Sequence, residues 1–148
     1  MTVLRSRDDG YEASDDPARL DVDVIHGFLR TSYWSPGVSR ETVEKAIRAS
    51  LPMGLYAPNG GQAGFARVVT DRATFGYLAD VFVLPGHRGR GLSRFVVTAL
   101  LEHPELSGLR RWMLATADAH GVYEPLGFTA LDDPRRWMTL QPARTAGP

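Results

Sequence analysis

Residues 81–93 read Val-Phe-Val-Leu-Pro-Gly-His-Arg-Gly-Arg-Gly-Leu-Ser, an apolar run that turns through glycines and arginines into an amphipathic stretch. Those residue types in that order make a cradle for an anion. The first amides of a helix have no intrahelical acceptor and sit at the positive end of the helix dipole. Gly89 and Gly91 carry no Cβ to hold a phosphate away from the backbone. Arg88 and Arg90 add positive charge, and Ser93 adds a hydroxyl. Two familiar phosphate loops do not fit: a dinucleotide fingerprint needs glycine where Arg94 stands, and a P-loop needs a Gly-Lys-Ser/Thr ending that is absent. On the residues alone, a plain strand-to-helix connection with exposed arginines stays open beside the phosphate site.

Other side chains suit proton transfer. Asp80 interrupts an apolar strand, and alternation places it on one face with Leu78 and Phe82. A carboxylate there needs a partner or water, so it is either a proton acceptor in a cleft or half of an ion pair with a nearby arginine such as Arg67. Tyr123 offers a phenol of ordinary pKa ~10, able to donate to a leaving thiolate or simply to pack a helix on a sheet. His120 stands one helical turn before Tyr123 on the same side, as a base or as a buttress. Tyr33 and Trp34 precede Ser35-Pro36-Gly37 and make either an aromatic wall for a substrate or a staple between helices. Asp71 reads as a turn former. With no cysteine in the chain, thiolate nucleophiles, thiolate metal sites and disulfides are excluded. No histidine pair stands at a helical metal-ligand spacing with an acidic partner, so no metal is expected.

The elements that must position these groups follow from periodicity. Leu20, Val22, Val24, Ile25, Phe28 and Leu29 favour a helix; Ser39 caps a second, with Glu41 in its first turn, and Pro52 is expected to end it. Residues 53–57 and 62–69 are strand-like and flank Pro58-Asn59-Gly60-Gly61, a hairpin signal, with a third strand over 74–84. Leu92, Phe95, Val96, Ala99 and Leu100 make a helix that ends before Pro104. Strand-like 109–115, a short helix over 117–125, a turn at Gly127 into 128–131 and a last strand over 136–140 complete the pattern. The opening segment to about residue 18 promises a short strand at best. Residues 1–18 and 141–148 are expected to pack poorly.

The 148 residues suit one domain, with 43% hydrophobic content and 17 basic against 17 acidic residues. Net neutrality argues against a nucleic-acid partner. No apolar signal core opens the chain, and no run reaches the roughly 20 apolar residues of a membrane helix, so the expectation is a soluble, cytoplasmic protein without a membrane partner. Helices, then a meander, then alternating strand and helix give an α+β or mixed α/β class over residues 1–148.

Arg88-x-x-Gly91-x-Ser93 resembles the Q/R-x-x-G-x-G/A signature of the GNAT acyltransferase superfamily, and Val122-Tyr123-Glu124-Pro125-Leu126-Gly127-Phe128 resembles its L-Y-E-K-x-G-F signature. The element order is similar across residues 20–140. The resemblance implies a central, mostly antiparallel twisted sheet flanked by helices, with parallel pairing at the cofactor cleft. It implies acetyl-CoA as acyl donor, its pyrophosphate on the amides of Arg88, Gly89, Arg90, Gly91, Leu92 and Ser93. Its pantetheine arm would lie along the Val81-Phe82-Val83 main chain, with Thr116 and His120 on the same side. Thr116 departs from the asparagine many members carry there, and Ser93 from the final Gly or Ala. By the same resemblance Tyr123 is the general acid; for the base, the strand position of Asp80 makes it the candidate, beside His120 and a water chain with no dedicated base. Tyr33, Trp34 and Arg67 then line the acceptor site, for a primary amine of a small molecule or peptide. Members often form homodimers. The rival from another class is a non-catalytic acyl-CoA-binding regulatory module.

Overall fold

A computed structural model describes residues 2–142. Six strands lie in sequence order in one sheet: β1 (Leu4–Ser6), β2 (Glu12–Ser14), β3 (Leu51–Tyr56), β4 (Gln62–Thr70), β5 (Phe75–Val83) and β6 (Arg111–Met113). Every neighbouring pair is antiparallel except β5 and β6, which are parallel. The mixed α+β architecture with parallel pairing at β5–β6 is therefore as the sequence implies.

Helices α1 (Val22–Leu29) and α2 (Arg40–Arg48) start where their caps dictate. The Asp21 carboxylate accepts from the Val24 amide at 3.2 Å, and Ser39 Oγ from the Thr42 amide at 3.1 Å. Their apolar stripes bury Ile25, Leu29 and Val43 against Phe65 and Phe82, one face of the sheet. The other face is covered by α3 (Leu92–Leu101), which buries Val96, Val97 and Leu100 against Met53, Leu55, Ala66 and Leu78. A short α4 (His120–Tyr123) runs on into a 3-10 turn at Glu124–Leu126, stopped by Gly127 at φ +100.

Four sequence expectations change. Of the stretch 1–18, residues 2–18 do not pack poorly: β1 and β2 form a hairpin on β3, and Tyr11, Ala13 and Ser14 are buried. Its anchor is buried His103, whose Nε2 lies 2.8 Å from Asp15 Oδ2. Because His103 Nδ1 accepts from the Glu105 amide, Nε2 carries the proton and donates to the carboxylate. Pro52 does not end α2, which stops at Arg48; it lies within β3 beyond the last β2 partner, where the missing N–H breaks no β2 ladder. Residues 128–131 and 136–140 form no strand; a 3-10 turn takes Pro134–Arg136 instead. Of the tail 141–148, residues 143–148 lie outside the described residues.

The remaining difference decides the site. Phe65 pairs with Phe82 but Arg67 pairs with Ala79, so Asp80 and Val81 together face Ala66 in a β-bulge. Asp80 takes φ +55, a left-handed value that aspartate tolerates better than most residues. The extra residue reverses the alternation: Leu78 packs with the α3 core and Phe82 with the α1–α2 core, on opposite faces rather than one.

Candidate active site

β5 and β6 pair over only three positions, from Phe75↔Arg111 to Tyr77↔Met113. Beyond Tyr77, β5 carries on through the bulge while the chain after Met113 leaves the sheet. The parting opens a cleft between residues 79–83 and 114–119. On its α3 side the cleft is a hollow of about 700 Å³, bordered by Val81, Phe82, Val83, Arg88, Gly89, Gly91, Leu92 and Ser93. On its other side, about 580 Å³ is bordered by Arg67, Asp80, Thr116 and Tyr123. Tyr33 and Trp34 border both parts.

The glycine turn is built as an anion cradle. Gly89 and Gly91 adopt φ +80 and +71, and a Cβ at either would meet open space. Gly91 is the N-cap of α3, with no side chain to satisfy the first amides of the helix. The arginines do less than their charge suggests. The Arg88 amide turns back to the Pro85 carbonyl at 3.4 Å, and its Nε donates to the Val83 carbonyl at 3.0 Å. Arg88 therefore braces the turn, and one main-chain group expected to hold a pantetheine arm is already shared. Arg90 is exposed, and its carbonyl accepts from Arg7 Nη1 at 2.9 Å. Leu92 and Phe82 are buried, the Phe82 ring stacked on Phe28 at 4.2 Å, so both can offer only main-chain groups.

Asp80 is held by two donors, Arg67 Nε at 2.7 Å on one oxygen and Trp34 Nε1 at 2.9 Å on the other. Arg67 in turn donates to Ser50 Oγ at 2.9 Å. The ion pair and the place in the cleft, alternatives in the sequence, coexist. So do the two readings of the aromatics: Trp34 packs edge-on to Tyr33 and against Phe28, fixing the α1–α2 loop, while both rings face the cleft. Tyr33 Oη accepts from the Ala117 amide at 3.1 Å, so the loop bridges the opening.

Tyr123 is buried and packs edge-on to Phe128. Burial pushes its phenol up to about 12, and nearby Tyr33 adds in the same direction. The phenol thus stays protonated across the physiological range. Thr116 Oγ1 accepts from the Ala119 amide at 3.0 Å, a local turn bond rather than a reach across the cleft. His120 borders neither part of the cleft; opening α4, it lines a groove on the outer side of β6 that Tyr123 also borders. Asp71 is a turn former, as expected, held well below the usual carboxylate range by the Thr74 hydroxyl and by the amides of Thr74, Ala73 and Phe75. Among the described residues no cluster of three His, Asp or Glu could hold a metal ion.

Arg7 and Tyr11, which support the cradle from the N-terminal hairpin, carry no local pattern that points to the site. Tyr11 Oη lies 2.7 Å from His87 Nδ1, and Arg7 carries its bond to Arg90 across 83 positions. Ser50, behind Arg67, was equally hidden; such long-range contacts leave no local pattern.

The family model described as "Acetyltransferase (GNAT) family" matches residues 22–128, which contain the cradle, the bulge and Tyr123. The chain belongs to the GNAT acetyltransferase family. Among its relatives is the candidate acetyltransferase FG08082 of Gibberella zeae, 35% identical over 130 residues, covering 73% of this chain and 72% of that protein. A candidate GNAT-family acetyltransferase from Xanthomonas campestris pv. campestris has a solved structure that superposes with a TM-score of 0.85 at 45% identity, covering 88% of this chain and 92% of that one. A candidate acetyltransferase from Clostridium acetobutylicum, solved with acetyl-CoA, shares the fold at TM-score 0.62 and 15% identity, over 95% of this chain and 96% of that one. No helix among the described residues is long and apolar enough to cross a membrane.

Proposed function

We propose that this GNAT protein transfers the acetyl group of acetyl-CoA directly to a primary amine of a small molecule or a peptide. The observation that carries the reading is one continuous cleft with the uncapped amides of the glycine turn along one part and Tyr123 along the other. The amides of residues 89–93 bind the pyrophosphate, and the bulged β5 main chain at Val81 and Val83 guides the pantetheine arm toward the acceptor side. The open space above Gly89 and Gly91 fits this role, since a phosphate can approach the backbone there.

The reaction forms a bond from the amine nitrogen to the acetyl carbon and breaks the carbon–sulfur bond. The departing thiolate, of thiol pKa ~8.5, then needs a hydrogen-bond donor. Tyr123, protonated because burial raises its phenol to about 12, supplies that donor. It hydrogen-bonds the charge developing on sulfur and gives up its proton as the carbon–sulfur bond breaks; the proton that the amine nitrogen loses in forming the amide passes through Asp80 and water and restores the phenol. The nucleophile has to be the neutral amine. Asp80, with one donor on each oxygen, retains lone pairs that orient an amine N–H while Arg67 and Trp34 hold the carboxylate still. Tyr33 and Trp34 form the aromatic wall of the acceptor side.

Incubation with acetyl-CoA and a panel of small-molecule amines and free-amino peptides, read by mass spectrometry and by release of CoA thiol, tests the reading. Acetylated amine appearing with equal CoA supports it. Tight acetyl-CoA binding with no acetylated product from any amine would overturn it in favour of a binding module.

A further inference from the structure

The sheet face beneath α1 and α2 is covered at one end only. Val68 and Leu78 point into the α3 core, so the residues on either side of each, Arg67, Val69, Tyr77 and Ala79, stand on the α1–α2 face. The helices bury the end of that face that carries Phe65 and Phe82. At the other end Val69 and Tyr77 lie directly opposite each other on β4 and β5 and stay 43% and 37% exposed. Tyr77 also borders the acceptor part of the cleft, with Tyr33, Trp34 and Asp80. An apolar shelf therefore leads out of the cleft over the open sheet, starting near the carboxylate that orients the amine.

The charges around this part decide what the rest of the acceptor carries. Among the described residues that border it, they are Arg67, Asp80 and Asp118. Arg67 is spent on Asp80 at 2.7 Å, which leaves one carboxylate and no free cation. A phosphate or carboxylate on the acceptor would lose water there without gaining a counter-charge. A second ammonium fares no better on the shelf. Asp118 also borders the α3 part of the cleft and Tyr77 does not, so the spare carboxylate and the shelf lie at opposite ends. What the shelf offers is a ring face and methyl groups, complementary to an uncharged aromatic ring. The spacing agrees: Tyr77 is three residues from Asp80 along β5, at most roughly 10 Å, a span bridged by an amine at Asp80, a short carbon link and a ring against Tyr77.

Resting on the reading of this cleft as a site of amine acetylation, we propose that its acceptor is a small primary amine carrying an aromatic ring on a short carbon link, selected by Tyr77 and Val69. The amine nitrogen sits between Asp80 and the acetyl group. The ring lies on the Tyr77–Val69 shelf beside the Tyr33–Trp34 wall.

Phenethylamine, tryptamine, ethanolamine, putrescine and phosphoethanolamine are compared as acceptors with acetyl-CoA. The same amines are compared as ligands of the CoA-saturated protein by calorimetry, where no transfer takes place. Covering one face of a ring should favour the two aromatic amines by about tenfold, both in kcat/KM and in affinity. Tyr77→Ala should raise their KM about tenfold with kcat little changed, Val69→Ser should raise it by a smaller factor, and Tyr77→Phe should keep the wild-type value. Circular dichroism and acetyl-CoA affinity check that the variants are folded. Equal or better use of ethanolamine, putrescine or phosphoethanolamine would overturn the aromatic acceptor while leaving acetyl transfer in place, and so would an unchanged phenethylamine KM in Tyr77→Ala. Phenethylamine binding that depends on Tyr77, with no amine acetylated, would support the shelf and overturn the transfer reading. Absence of binding by either aromatic amine would overturn the shelf itself.

Discussion

Replacing Asp80 with asparagine separates its charge from its shape. Asparagine tolerates the left-handed φ of +55 and keeps an acceptor for Trp34, so the bulge survives. What is lost is the charge opposite Arg67, in a pair whose side chains are only 11% and 17% exposed. Breaking a fully buried pair from one side costs about 3–5 kcal/mol. Here Arg67 keeps its bond to Ser50 and borders the cleft, where water reaches it. The remaining loss is that of one charge-assisted hydrogen bond, about 2 kcal/mol. For a domain of this size about 3 °C of melting temperature accompanies each kcal/mol, so Asp80→Asn should melt about 6 °C lower. Arg67→Met should cost a similar amount, and the double variant clearly less than the sum. Calorimetric melting of the four proteins gives the cycle. In kinetics, the loss should fall on the acceptor KM, with acetyl-CoA binding within twofold of wild type. Additive melting shifts would refute the coupling, and an unchanged acceptor KM would refute the positioning role of the carboxylate.

Tyr123→Phe removes the donor to the leaving sulfur and keeps the ring that packs on Phe128; kcat should fall at least about tenfold while calorimetry finds acetyl-CoA affinity nearly unchanged. Gly91→Ala places a Cβ in the anion cradle at φ +71, straining the backbone by roughly 1–2 kcal/mol; acetyl-CoA affinity, measured by calorimetry, should drop by more than tenfold while CoA fragments without the pyrophosphate bind as before. Tyr56 and Tyr123 both have phenols raised by burial to about 12, so the folded state holds these protons more tightly than the unfolded chain. Their stability contribution is full below pH 10 and is lost as pH rises toward 12, which denaturant midpoints across that range should show; phenolate absorbance should find Tyr56 and Tyr123 ionising late. Tyr56→Phe deletes a buried hydroxyl without a hydrogen-bond partner among the described residues and should be at least as stable as wild type by the same midpoint assay.

The parts of the site that follow local rules were legible in the sequence. Gly89 and Gly91 announce a left-handed turn before an apolar helix, and Ser39 and Glu41 announce the start of α2. The meander from Leu51 to Val83 follows from period-2 runs around the Asn59-Gly60 turn. Asp80 was legible as an anomaly but not in its orientation, because a bulge inserts a residue that no periodicity foretells. Arg7, Tyr11, Ser50 and Asp15 were invisible in their roles, since each acts on a partner far along the chain. The expected strand over 136–140 has the right composition, but a strand forms only where it has an edge to pair with, and among the described residues nothing pairs with this segment.

A crystal structure with acetyl-CoA bound tests acetyl transfer at this cleft most directly. The pyrophosphate should rest on the amides of residues 89–93, and the pantetheine arm should lie beside Val81. The thioester sulfur should come within hydrogen-bond reach of Tyr123 Oη, with the acetyl group facing Asp80 and Tyr33. A donor whose pyrophosphate sits away from the glycine turn, or whose sulfur lies out of reach of Tyr123, would contradict it.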